Sequence, residues 1–219
     1  CGTPNMSADG WSVPMQMAFL FPEHEMASEW ADFFEKMIEL NGLFYTRPDV
    51  RAYSSKGGRW TESLGVYNWA YLRPTSHSNI ASELFDGKNR FADQYMAARG
   101  RWLVDMLTAP VNGSRGYPPH GAHGGGRLVK RFASLYQLGN WMENYDPILA
   151  EHIFWTGEQG EEVEAGRQRT DWLKAHAINN QNTNRGTNPH LRSAKYTGHG
   201  IVLRAGVDTP NELSIHLNQ

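Results

Sequence analysis

Tyr67 sits at the centre of the stretch in which this chain's most chemically suggestive side chains gather. It lies in Gly57 to Tyr71, GGRWTESLGVYNWAY, where a glycine-rich entry leads into apolar positions at helical spacing. Trp60, Leu64, Tyr67 and Tyr71 fall at i, i+4, i+7 and i+11, one face of a helix. Large aromatics on such a face are ordinarily core, which is the default for Trp60. A tyrosine hydroxyl buried without a partner costs free energy, so Tyr67 and Tyr71 each find an acceptor or look into a wet cleft. Glu62 falls in the expected first turn, where a carboxylate suits the helix dipole. It is also a candidate glycosidase acid, a role that needs a second carboxylate at a definite separation. Arg73, two turns beyond the expected helix start, either touches an anionic substrate or bridges to a neighbouring helix.

A second group of candidates lies in the Gly- and Pro-dense loop Thr108 to Gly126, which carries His120 and His123 in GYPPHGAHGGG. An HxxH spacing can ligate zinc. Here no Asp, Glu or Cys lies nearby and no helix fixes the geometry, so the expectation is no metal. Glycines let backbone approach a ligand closely, which favours histidines that line a cleft, with plain loop histidines as the alternative.

Bulk properties narrow the class. The chain has 219 residues and a formal charge of −2 with both signs interspersed, so it offers no electrostatic footprint for nucleic acid or an anionic membrane surface. No apolar run approaches the roughly 20 residues of a membrane helix. Eight Trp and nine Tyr serve either helix packing or stacking on sugar rings, with Trp11, Trp60 and Trp69 the candidate platforms. The single cysteine, Cys1, excludes a disulfide framework and a cysteine-based metal site. It is read as a truncation point in preference to a lipoprotein cysteine, because no polar tether follows it.

The elements that must position these residues are mostly helical. After turn-forming Gly2 to Gly10, a helix is expected over Trp11 to Phe21 with Val13, Met17 and Leu20 inward, ending at Pro22. A second spans Glu23 to Leu40 through Met26, Trp30, Phe33, Phe34, Met37 and Leu40, stopped by Asn41-Gly42. The Tyr67 helix is third, and Pro74 either kinks it or begins a new segment carrying Ile80, Leu84 and Phe85 before Asp86-Gly87. Further helices are expected over Phe91 to Leu107, Leu128 to Trp141, Asp146-Pro147 to about Trp155, and Thr170 to Ala177. Gly160 to Gly166 reads as a solvated turn and Asn179 to Pro189 as an exposed loop. Then Gly200 to Ala205 and Glu212 to Leu217 read as strand, turn, strand. Two strands cannot bury a sheet face alone, so a β-domain is expected to continue beyond Gln219 and the chain is read as a fragment. Successive helical pairs with Gly/Pro-rich loops suggest antiparallel hairpins in an arc or ring, with an ordinary irregular helical domain as the alternative.

The order of motifs resembles the heparinase II/III-like family of polysaccharide lyases. It rests on PNM near the start, LFPEHEMASEW, GGRWTESLGVYNWAYLRP, YPPHGAHGG and YTGHGIVLRAG, which together span nearly the whole chain. The resemblance implies a mainly α fold, with residues 1–194 the C-terminal part of an incomplete (α/α) toroid and 195–219 the first strands of a β-sandwich domain. It implies β-elimination in a uronate-containing polysaccharide, no cofactor, and a periplasmic or secreted location. In such chemistry donors neutralise the uronate carboxylate, a base removes the adjacent proton and an acid protonates the leaving oxygen. Tyrosine can be that acid, or the base if cationic neighbours lower its hydroxyl from about 10. By the resemblance Tyr67 is the acid/base and Asn5 the carboxylate neutraliser, followed here by Met6 where many lyases have His. A further catalytic His is implied in the β-domain. The partner implied is an anionic polysaccharide or oligosaccharide, with His120, His123, Trp60, Tyr71, Arg73 and Glu62 as candidate substrate contacts. Two other classes remain open: a glycoside hydrolase on the same scaffold using Glu62, and a glycan-binding helical module without turnover.

Overall fold

The computed structural model describes residues 4–45, 55–56, 64, 67–119, 127–128, 133–159, 185–196 and 200–218. In chain order these form α1 (Pro4–Leu20), α2 (Ala27–Tyr45), β1 (Ser55–Lys56), α3 (Tyr67–Asp86), α4 (Gln94–Asp105), β2 (Gly116–Tyr117) and β3 (Arg127–Leu128). Then follow α5 (Ala133–Met142), α6 (Pro147–Glu158), β4 (Ala194–Tyr196), β5 (Gly200–Ala205) and β6 (Leu213–Asn218). The protein is thus mainly helical, with a small antiparallel sheet in its last described residues.

The first helix begins at Pro4, well ahead of the expected Trp11. Proline is at home in a first turn, where its missing N–H is not needed and its φ is already helical. The buried side of α1 is Ala8, Trp11, Met15 and Ala18, not the expected Val13, Met17 and Leu20; Val13 and Leu20 are exposed. Trp11 decides the face, because its ring packs on Phe34 at 5.8 Å and Tyr71 at 6.1 Å. α2 starts at Ala27, later than expected, and buries Ala27, Ala31, Phe34 and Ile38 while Phe33 and Leu40 stay exposed. Asn41-Gly42 does not stop it. A Cβ at Gly42 would lie 2.6 Å from Tyr95 Cβ, so this glycine serves close approach to α4 rather than termination.

α3 also starts later than expected, at Tyr67. Leu64 lies in a turn ahead of it, so Leu64 does not share a helix face with Tyr71; the expected start around Trp60 and Glu62 lies outside the described residues. Pro74 stays inside the helix, which runs on to Asp86 and ends at Gly87 with φ 76°. Proline has no N–H to offer the preceding turn. Beside it the buried Thr75 hydroxyl donates to the Tyr71 carbonyl at 2.9 Å.

Helix order follows from the side-chain pairs. Trp11 meets Tyr71, Gln16 Nε2 donates to Ser78 Oγ at 3.2 Å, and Ser78 Oγ donates to the Ser12 carbonyl at 2.8 Å. Later residues of α1 therefore meet later residues of α3, and the two helices run parallel. α5 and α6 form an antiparallel hairpin with a glycine at each crossing: Gly139 lies against Phe154, and Gly157 against Tyr136. The loop from α3 to α4 is held by buried Arg90, which donates to both Asp86 oxygens at 3.0 and 2.8 Å and to Glu35 at 3.1 Å. Burial would raise the Asp86 carboxyl, but the Arg90 bonds outweigh it and hold it below the usual range.

α6 begins where Asp146-Pro147 predicts, whereas α4 starts at Gln94, three residues after the expected Phe91. Asp93 accepts from the Met96 N–H at 2.6 Å, and Asp146 from the Leu149 N–H at 3.0 Å with Pro147 in the first turn. Leu128 is not helical: it pairs with Gly116 in the β2–β3 hairpin, and α5 starts at Ala133.

The sheet has the order β1-β4-β5-β6, antiparallel through β4, β5 and β6, with β1 parallel to β4. Its β5–β6 pair is the strand, turn, strand read from the sequence; β4 was not foreseen. Val202 is buried on one face. The opposite face carries the directly opposed pairs Ile201–Leu217, Leu203–Ile215 and Ala205–Leu213, of which Leu203, Leu213, Ile215 and Leu217 are exposed. The turn expected at Gly160 to Gly166 and the helix expected at Thr170 to Ala177 lie outside the described residues.

Candidate functional site

Asn5 and Tyr67 occupy equivalent places. Each lies in the first turn of its helix, α1 or α3, and because these helices are parallel neighbours both residues are at the same end of the pair. Trp60, Glu62, His120 and His123 lie outside the described residues.

Tyr71 is one turn further along α3 and is buried. The guanidinium of buried Arg99 sits 4.1 Å from its ring centroid. Burial raises the Tyr71 hydroxyl above its usual value and Arg99 only partly offsets this, so the group stays protonated at neutral pH. Arg73 is exposed on the same helix.

Around the start of α3 the polar inventory is incomplete in an informative way. Asn68, next to Tyr67, is fully buried, and neither its carbonyl oxygen nor its amide nitrogen has a hydrogen-bond partner among the described residues. Trp69 packs its ring 6.1 Å from Tyr117. The Tyr117 hydroxyl is buried without a partner among the described residues, and burial pushes it well above the usual tyrosine value. Tyr117 begins the YPPH stretch that leads to His120. Among the described residues no three His, Cys, Asp or Glu side chains converge as a metal ion requires.

A second polar cluster, which sequence reasoning missed, joins the helices to the sheet. Arg115 donates to both Glu212 oxygens at 2.6 and 2.7 Å, with both side chains buried. Arg204 Nη1 lies 3.7 Å from the same carboxylate, and its Nη2 donates to the Asp105 carbonyl at 2.7 Å and to the Leu107 carbonyl. The Tyr196 hydroxyl donates to Asp105. Burial would raise the Glu212 carboxyl, yet the Arg115 bonds and charge hold it below the usual range. Burial and then the Asp105 charge keep the Tyr196 hydroxyl far above its ordinary value. Tyr71, Tyr117 and Tyr196 therefore each stay protonated at neutral pH, and none of them is a base there. Arg115 and Glu212 are 97 residues apart, so no local spacing announces the pair.

No family model, curated protein or solved structure matches this chain. No helix among the described residues is long and apolar enough to cross a membrane.

Proposed function

We propose that this chain belongs to a polysaccharide lyase of the heparinase II/III-like type, which cleaves a uronate-containing polysaccharide by β-elimination. The observation that carries the reading is the placement of Asn5 and Tyr67 in the first turns of two parallel, packed helices. β-Elimination needs a carboxylate neutraliser and a proton-transfer group on the same sugar unit, and two parallel helix starts present both at one end of the bundle. Burial raises the hydroxyls of Tyr71, Tyr117 and Tyr196, so none of these three competes with Tyr67 for the base role.

The scaffold reading has its own support. An (α/α) toroid repeats antiparallel hairpins whose inner helices are parallel to one another; the parallel α1–α3 pair and the α5–α6 hairpin fit that scheme. An exposed apolar face on β5 and β6 fits one leaf of a sandwich, which would bury it against a second sheet. The protein would act on its polysaccharide in the periplasm or outside the cell.

The test offers the natural protein carrying this chain a panel of alginate, ulvan, heparan and chondroitin-type polymers and follows ultraviolet absorbance from unsaturated uronate. Turnover is expected with at least one polymer, and Tyr67→Phe is expected to lower it by about 10²-fold or more with unchanged circular dichroism. Full activity in Tyr67→Phe overturns the assignment. New reducing ends without a double bond, dependent on Glu62, would establish a hydrolase instead.

A further inference from the structure

A separate cleft of about 210 Å³ opens between the end of α4, the first turns of α6 and the segment 189–192. Its walls include Arg101, Asp105, Leu149, His152, His190 and Arg192. The segment that closes it is fixed on several sides. Thr187 bonds Glu151 through both its backbone N–H, at 3.2 Å, and its hydroxyl, at 2.6 Å; the His190 N–H donates to Asn188 Oδ1 at 2.9 Å; and Leu191 is buried. The cleft is therefore preformed, and its volume is on the scale of one hexuronate unit.

The charges that face it are mostly spent. Arg101 holds Asp146 at 2.9 Å, the Tyr196 hydroxyl holds Asp105, and His190 Nδ1 and Asn188 Nδ2 hold Asp208 at 2.7 and 2.8 Å. Two donors are left over: the guanidinium of Arg192 and the half-buried imidazole of His152, neither of which is hydrogen-bonded or ion-paired through its side chain among the described residues. Burial lowers the His152 imidazole below the usual histidine value, with Glu151, Asp146 and Asp105 partly offsetting it, so it offers one N–H at neutral pH. Leu149 supplies an apolar surface for a ring face. A cation and a neutral donor beside a small apolar floor suit a ring that bears a single anion.

We propose that this cleft is a subsite for one acidic sugar unit, whose carboxylate is taken by Arg192 and His152. It rests on the reading of the partner as an anionic polysaccharide, and because neither Asn5 nor Tyr67 lines it, it would hold a unit other than the one being cut.

The test titrates the 219-residue chain with a uronate trisaccharide, a neutral trisaccharide and sodium acetate while backbone amide resonances are followed. Leu149, His152 and Leu191 are expected to shift with the uronate alone. Arg192→Ala, at an exposed position, and His152→Gln are each expected to weaken that binding about tenfold with unchanged circular dichroism, the scale of one charge-assisted hydrogen bond. An equal response to the neutral trisaccharide, or both variants binding like the parent, overturns the subsite. Acetate binding as tightly as the uronate overturns the sugar assignment and leaves a site for small carboxylates. The two proposals fail separately. Tyr67-dependent turnover with a silent cleft removes the subsite alone, whereas uronate bound here with no unsaturated product removes the lyase reading alone.

Discussion

Glu212→Ala should destabilise the protein about twice as much as Arg115→Ala, although the two residues form one ion pair. The asymmetry comes from Arg204. Removing the Glu212 carboxylate takes away the only acidic group among the described residues bonded to Arg115, at 2.6 and 2.7 Å, and also strips Arg204 of the carboxylate 3.7 Å from its Nη1. Two buried or half-buried guanidiniums are then left facing each other, and breaking a buried pair in this way costs about 4 kcal/mol. Removing Arg115 leaves Glu212 with Arg204 still beside it, so the loss is closer to that of hydrogen bonds to a charged group, about 2 kcal/mol. In urea unfolding followed by tryptophan fluorescence, with m about 3 kcal/mol/M, these correspond to midpoint shifts of roughly 1.3 and 0.7 M. Equal shifts, or a larger one for Arg115→Ala, would refute the reasoning that Arg204 shares the carboxylate. The pH dependence has a fixed sign as well. Because the folded Glu212 carboxyl lies below its unfolded value, its contribution is present above about pH 4 and is lost as pH falls through the folded value. Glu212→Gln should therefore flatten the loss of stability on acidification below about pH 4.

Three further outcomes are expected. Gly139→Ala would set a methyl group 2.4 Å from Phe154 Cε1, and the overpacking should cost about 1–3 kcal/mol, read as a melting temperature lower by about 2–4 °C for each kcal/mol; an unchanged melting temperature would mean that the α5–α6 crossing is looser than described. Tyr71→Phe keeps the ring under Arg99 but removes a buried hydroxyl acceptor, so stability should fall by about 1–3 kcal/mol in urea unfolding; unchanged stability with a raised KM would return Tyr71 to the substrate contacts. The His152 ring, followed by NMR, should titrate below the usual histidine value of about 6.5, and Asp105→Asn, which removes one of the carboxylates that raise it, should move it lower still; a midpoint above that value would contradict the half-buried setting.

What was legible in the sequence is what short-range chemistry decides. Asp146-Pro147 marks a helix start because a side-chain oxygen reaches the N–H three residues on, a bond that needs no partner element; Asp93 makes the same bond, though the helix there was expected from Phe91. The alternation in GIVLRA and ELSIHL marks β5 and β6 because one face is apolar and the other meets the helices. The misplaced boundaries were decided elsewhere in the fold. Gly42 resembles a stop signal, but Tyr95 of a later helix makes it a packing position; Leu128 fits a helical period, but Gly116 claims it for a strand. Val13 and Leu20 match a helical stripe, yet Trp11 and its contacts with Phe34 and Tyr71 turn a different face inward.

The candidate site divides along the same line. That Tyr67 and Asn5 carry suitable chemistry is a matter of residue type and resemblance, both legible in the chain. That they stand at one end of a parallel pair follows only from contacts between residues about 60 apart, such as Gln16 with Ser78. The network around Glu212 is more distant still, and it has a consequence for the fold as a whole. Arg115 follows α4, Asp105 ends it, and their partners Glu212, Arg204 and Tyr196 all belong to the sheet or its turn. The small sheet is therefore clamped to the helices by buried charge on one face while its other face presents Leu203, Leu213, Ile215 and Leu217 to solvent. Buried ion pairs impose directional geometry that apolar contact does not, so this clamp fixes how the sheet stands on the helices, and with it the position of Pro189 to Arg192 over the α4–α6 cleft. Loss of the clamp in Glu212→Ala should consequently weaken uronate binding in the cleft as well as lower stability, although Glu212 is not among the residues that line it.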